Sequence, residues 1–230
     1  GINGILDTHF FCVSRSYAIR IAESKPLQLQ RAREHGLMIP RTMLTNEPEV
    51  VFSFYEMCRE KMIIKPVQSI SIKDDEKNWR AIYTTRVSST DLLSPALQHV
   101  RRTTHLFQEL IPKAYDLRVV VIGRHIFAVE LHSPEANIDF RTAYDAITYR
   151  VHHLPSELTS QLFKLVHSFG LQFASMDLIV TPDGRYIWLE LNPNGQWYWL
   201  QYQLQHQNGE YLPLKETMAD LLIHPEAHCL

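Results

Sequence analysis

Two carboxylates and a carboxamide near the C-terminus carry the most chemistry for the fewest residues. Ala174 to Val180 and Tyr186 to Leu191 are β-rich runs joined by Thr181-Pro182-Asp183-Gly184-Arg185. The Asp-Gly pair is a strong hairpin signal. With Asp183 and Gly184 as the two loop residues, Pro182 lies opposite Arg185 and, counting back, Asp177 lies opposite Glu190. Cross-strand partners have Cβ atoms roughly 5 Å apart, where like charges repel unless something compensates. A divalent cation would compensate. Asn192, two residues past Glu190, shares its face and adds a neutral oxygen. Such oxygen ligands on stiff strands suit magnesium, which completes its shell with water and phosphate. The alternative reading sends both acids to solvent, the usual fate of strand carboxylates. Ser175, Ile179 and Trp188, expected on the same face, argue for partial burial instead.

Other chemistry-bearing residues are weaker. His132 and His152-His153 lack a third ligand at zinc spacing and read as ordinary histidines. Trp197, Tyr198 and Trp199 read as packing beneath the metal strand.

The hairpin needs a scaffold, and the punctuation of the chain supplies one. Ser24, Pro26 and Gly36 bracket a helix over about Lys25 to His35. Arg41 to Thr45 reads as a strand, and Asn46 with Glu49 as a capping box opening a helix through Arg59. Met62 to Val67 is a second strand, followed by a polar loop from Ser69 to Asn78. Arg80 to Val87 alternates as one strand, Asp91 to Arg101 is helical and His105 to Leu110 is again a strand. Leu117 to Ile122 and His125 to Leu131 flank Gly123-Arg124, a two-residue hairpin loop with glycine first. Ser156 caps a core-facing helix that Gly170 closes. The expectation is an α+β protein whose second half is rich in sheet.

Bulk properties exclude several classes. With 230 residues, 45 % of them hydrophobic, the chain can bury a sizeable core. A net charge of −2 gives no pull towards nucleic acid or anionic membrane. No run approaches the ~18 apolar residues of a membrane span, and no signal pattern opens the chain. Cys12, Cys58 and Cys229 leave an odd thiol under any pairing, which favours a reducing, cytoplasmic setting.

Glu190-Leu191-Asn192-Pro193-Asn194-Gly195-Gln196-Trp197, preceded by Ser175-Met176-Asp177-Leu178, resembles the magnesium-binding end of ATP-grasp ligases, most narrowly the graspetide synthetases that macrocyclise ribosomal peptides. Ser24 to Leu29, Ile63-Ile64-Lys65-Pro66, Phe107-Gln108-Glu109-Leu110-Ile111 and Asp116-Leu117-Arg118 follow the family order, so the similarity covers nearly the whole chain. The resemblance implies an ATP-grasp fold: two α+β subdomains with ATP between them. Residues 1–36 would be a linker and leading helix, 37–110 the small lid subdomain and 111–230 the C-terminal subdomain with the metal site.

It further implies ATP and Mg2+, two ions, as cofactors, with Asp177, Glu190 and Asn192 as metal ligands. Lys25 and Lys65 match lysines on the ATP phosphates, Gln108, Glu109, Leu110 and Ile111 the hinge whose backbone holds adenine, and Asp116 the acid on the ribose. Arg118 and Arg141 match arginines near the γ-phosphate and acyl phosphate. Positioned cations are what phosphoryl transfer chiefly needs. The implied partner is a precursor peptide with a leader sequence, with no nucleic acid and no membrane; a homodimer stays open. Two departures stand out. Val67 to Ile72 contains no glycine, whereas many relatives close a glycine-rich loop there. The usual N-terminal domain is not seen before Gly1, so a piece of a longer protein is expected. An amino-acid ligase of the glutamate type and a catalytically incomplete peptide-binding module are the competing readings.

Overall fold

The computed structural model describes residues 2–67, 71–73, 79–81, 84–133 and 146–229. Among these the chain divides into two compact units. One gathers the chain up to Ile39 with the chain from Lys113 onwards, and the other is Pro40–Pro112. Residues 2–36, expected as a linker and leading helix, belong to the same unit as the C-terminal half.

The first unit opens with helices α1 (Ile2–His9), α2 (Ser16–Ala22) and α3 (Lys25–Glu34). Pro26 sits in the first turn of α3, where a missing N–H costs nothing. Gly36, at φ +80, turns the chain out of the helix.

The second unit comprises β1 (Thr42–Thr45), α4 (Pro48–Met57), β2 (Met62–Lys65), β3 (Ser71–Lys73), β4 (Trp79–Ala81), β5 (Thr85–Val87), α5 (Ser89–Leu93), a 3-10 segment (Pro95–Arg102) and β6 (His105–Glu109). Its antiparallel sheet has the order β1-β6-β2-β5, and β3 pairs separately with β4. Val51, Phe54 and Tyr55 from α4 pack on Met62, Val87 and Phe107 of the sheet. Three expectations change. The single strand over Arg80 to Val87 is two strands in different sheets. The helix over Asp91 to Arg101 is broken at Pro95, whose ring cannot continue α5. A capping box forms at Ser88 and Asp91, whereas Asn46 makes none: Glu47 occupies that N-cap without a side-chain bond.

The first unit resumes with β7 (Tyr115–Ile122), β8 (His125–His132), β9 (Thr148–His152), α6 (Ser156–Ser168), β10 (Phe173–Val180), β11 (Tyr186–Asn192), α7 (Tyr198–Asn208), α8 (Leu214–Ile223) and α9 (Pro225–His228). These strands form one antiparallel sheet in the order β11-β10-β7-β8-β9. Central β7 is buried from Asp116 to Ile122, and the Gly123-Arg124 loop after it has glycine at φ +52, as expected. Ser156 is the first residue of α6 rather than its cap, a position Pro155 takes. No helix among the described residues is long and apolar enough to cross a membrane.

Candidate active site

The β10–β11 hairpin reaches the expected pairing by an unexpected route. Thr181 N–H bonds Arg185 O and Gly184 N–H bonds Thr181 O, leaving Pro182, Asp183 and Gly184 as a three-residue loop with Gly184 at φ +81. A three-residue loop ending in a left-handed glycine is a standard hairpin connection. Asp183 steadies it by accepting from Thr181 Oγ1 and from Arg185 Nε at 2.8 Å. Pro182 therefore does not face Arg185. Val180 pairs with Tyr186, Ile179 with Ile187 and Leu178 with Trp188. Continued unbroken, that register would set Asp177 against Leu189. A β-bulge between the Leu178 and Asp177 pairs absorbs one residue, so Asp177 faces Glu190 and Ser175 faces Asn192. Trp188 falls on the opposite face, buried with Leu178, and Ile187 stands beside Ile179 in the place expected for Trp188.

The site is a row across three strands: Arg118 of β7 opposite Asp177 of β10 opposite Glu190 of β11. Arg118 Nη1 donates to Asp177 Oδ1 at 2.5 Å, and Lys25 Nζ lies 3.6 Å from Glu190 Oε2. Asp177 and Glu190 side chains are 17 % and 19 % exposed, shielded enough for their charges to matter and open enough for a ligand to reach them. The compensation assigned to a metal alone is thus shared by two cations. Asn192 Nδ2 lies 3.4 Å from Asp177 Oδ2, and an amide flip would offer the oxygen instead. Asp116, two residues before Arg118 on the same face, is buried and accepts from Lys113 Nζ at 2.5 Å.

Two facing carboxylates plus a carboxamide fit magnesium, which is held by one or two carboxylates and completed by phosphate and water. Among the described residues no group of three or more His, Cys, Asp or Glu is placed to hold a metal ion. His132 and His152 instead bond the two oxygens of Glu130, each at 2.7 Å, on the other face of the sheet.

Gln28 is a positioning residue whose role was not read from the sequence. Its buried Nε2 donates to Leu191 O at 2.8 Å and to Ala22 O at 2.5 Å, while its Oε1 accepts from Leu191 N–H at 2.9 Å. The amide thus imitates a neighbouring strand at the edge of β11, between Glu190 and Asn192. Lys25 lies one helical turn before it, which is how α3 brings an ammonium to Glu190. Only its spacing from Lys25 could have signalled this.

The remaining candidates among the described residues belong to the second unit. Lys65 ends β2 opposite Leu106. Gln108 and Glu109 close β6; the Gln108 side chain is buried and donates to Thr42 Oγ1 at 3.0 Å. Glu109 N–H bonds Arg41 O and Leu110 N–H bonds Lys61 O. Ile111 follows beyond the strand. Arg141, with Asp139 and Phe140, lies outside the described residues, as do residues 68–70 of the glycine-free segment after Lys65.

No protein-family model matches the chain, and no curated protein does. Solved structures do. The macrocyclase MdnC of Microcystis aeruginosa MRC, bound with precursor peptide MdnA, is 32% identical over 97% of this chain and 69% of its own, with a TM-score of 0.85. A RiPP-associated ATP-grasp ligase of Chryseobacterium gregarium, in complex with ADP and a leader and core peptide, is 25% identical over 97% of this chain and 66% of its own, also at TM-score 0.85. The ATP-grasp ligase PsnB, complexed with a phosphomimetic precursor variant, Mg and ADP, is 25% identical over 88% of this chain and 61% of its own, with a TM-score of 0.71. The fold is that of an ATP-grasp ligase. Within that class the chain belongs to the RiPP-associated ATP-grasp ligases, the family of the macrocyclase MdnC, and it spans about two thirds of the length of MdnC and of the Chryseobacterium enzyme.

Proposed function

We propose that this chain is the ligase core of an enzyme that uses ATP to close side-chain ester or amide links in a ribosomally made precursor peptide. The observation that carries the reading is the facing pair Asp177 and Glu190, flanked by Arg118 and Lys25. In the proposed reaction an Asp or Glu carboxylate of the peptide attacks the γ-phosphorus of ATP. The bond to the β,γ-bridging oxygen breaks, giving an acyl phosphate and ADP. A Ser or Thr hydroxyl, or a Lys amine, then attacks the acyl carbon; its proton is lost and inorganic phosphate leaves with the C–O electron pair.

Asp177, Glu190 and Asn192 would hold magnesium, two ions in this proposal. Magnesium bound there supplies positive charge to the phosphate oxygens. Lys25 and Lys65 are assigned to the phosphates, and Arg118 with Arg141 to the oxygens that gain charge during transfer. Asp116, oriented by Lys113, is assigned to the ribose hydroxyls. The Gln108 to Ile111 backbone is assigned to adenine. Since Glu109 and Leu110 N–H groups already bond Arg41 and Lys61, we assign the donor to Ile111 N–H. The leader of the peptide, a cytoplasmic setting and a homodimer complete the proposal. Three free cysteines are in keeping with that setting.

The test is mass spectrometry of candidate precursor peptides incubated with the full-length protein, ATP and magnesium. Loss of one water mass per link, matched by one ADP released, is expected. ADP release without peptide modification contradicts the proposal.

A further inference from the structure

Gly195 follows the metal strand in a place where its backbone does not demand glycine. Its φ lies outside the left-handed region, so any restriction comes from space. A Cβ added there would stand 2.6 Å from Ser175 Cβ, 3.0 Å from Asn192 Cβ and 3.1 Å from Arg118 Nη2. The first distance is shorter than packed carbon atoms tolerate, and its partner is no flexible tip: Ser175 is fully buried on the central part of β10. Ser175 Oγ and Arg118 Nε are buried without a hydrogen-bond partner, so close packing and not hydrogen bonding of those atoms seats the loop on the strand.

The closeness has a consequence for Arg118. With the loop down, Gln196 O accepts from Arg118 Nη2 at 3.2 Å while Asp177 Oδ1 takes Nη1 at 2.5 Å. Two acceptors on different elements fix the plane of the guanidinium, which one acceptor leaves free to turn. The loop itself is tied to β11 by Gly195 N–H bonding Asn192 O at 3.2 Å.

We infer that Gly195 is a positioning residue: the space left by its absent side chain lets the Asn192–Gln196 loop seat on Ser175 and hold Arg118 in the orientation that presents it to the transferring phosphate. Resting on the ligase reading for Arg118, the inference adds what aims that cation. A methyl group at 195 must push the loop off β10 by about 1 Å. That shift carries Gln196 O beyond hydrogen-bond distance of Arg118, and a misplacement of this size is worth roughly a hundredfold in turnover.

The test compares wild type, Gly195→Ala, Ser175→Gly and the double variant in the full-length protein. Calorimetry measures binding of MgADP and of a magnesium-bound non-hydrolysable ATP analogue, and crystallography measures the Gln196 O to Arg118 Nη2 distance. Gly195→Ala should bind MgADP, which shows that it is folded, and bind the triphosphate analogue about tenfold or more weakly, with the Gln196 O to Arg118 bond broken. In the Ser175→Gly background, which removes the nearest obstructing atom, the same substitution should cost less than about threefold. Wild-type analogue affinity in Gly195→Ala, or an equal loss in both backgrounds, overturns the inference. Wild type that binds neither nucleotide overturns the ligase reading as well, and the intact Gln196–Arg118 distance in Gly195→Ala overturns the seating argument on its own.

Discussion

Two facing carboxylates, Asp177 of β10 and Glu190 of β11, stand between two cations, Arg118 of β7 and Lys25 of α3, and this arrangement governs what single substitutions do. Glu190→Gln preserves shape and removes one negative oxygen. It should leave the melting temperature within a few degrees of wild type, because a single partly shielded ion pair at 3.6 Å contributes about 1 kcal/mol, yet lower magnesium-dependent ADP formation by about a hundredfold. A coupled spectrophotometric assay reads this directly. Gln28→Ala acts differently, deleting three buried hydrogen bonds, two that join α3 to β11 and one that joins it to α2. Urea unfolding should show a loss of about 2–4 kcal/mol. At this scale the acids were legible because Asp-Gly and the strand pattern bring them together; Gln28 was not, because a glutamine that imitates a strand has no local signature.

Between residues and sheet, the hairpin shows how a correct pairing can follow from an incorrect turn. A two-residue loop with unbroken register and a three-residue loop with one bulge both oppose Asp177 to Glu190. They differ in which side Trp188 takes, and bulges leave little trace in period-two patterning. Likewise the strand expected over Arg80 to Val87 alternates throughout, yet tertiary pairing divides it between two sheets. Gly184, left-handed with open space around it, should cost about 1–2 kcal/mol as Gly184→Ala through backbone conformation alone, with the nucleotide affinity unchanged.

On the opposite face of the large sheet, burial alone would raise the Glu130 pKa, but hydrogen bonds from His132 and His152 hold it below its usual 4.5. A carboxylate whose folded pKa is lowered adds stability above its unfolded value and loses it as pH falls through the folded one. Stability should therefore decline on acidification below about 4.5, and Glu130→Gln should flatten that acid limb in chemical denaturation. Burial, with the Glu130 charge beside it, pushes Tyr115 up to about 12, so its phenol keeps its proton through the mildly alkaline range.

For the molecule as a whole, the α+β class and the hairpin that pairs Asp177 with Glu190 were readable from the chain. The grouping of residues up to Ile39 with the C-terminal half was not, since it depends on a helix docking across 163 positions of sequence through Gln28 and Leu191. Ligand linkage tests the site at this scale. MgADP at a hundred times its dissociation constant should stabilise the fold by about 2.7 kcal/mol, and a chelator should remove most of that gain.

The most direct measurement is ADP release by the full-length protein with candidate precursor peptides, with and without magnesium, alongside Glu190→Gln. The account predicts peptide-stimulated, magnesium-dependent release that the substitution abolishes. Tight peptide binding with no dependence on nucleotide or magnesium would contradict it.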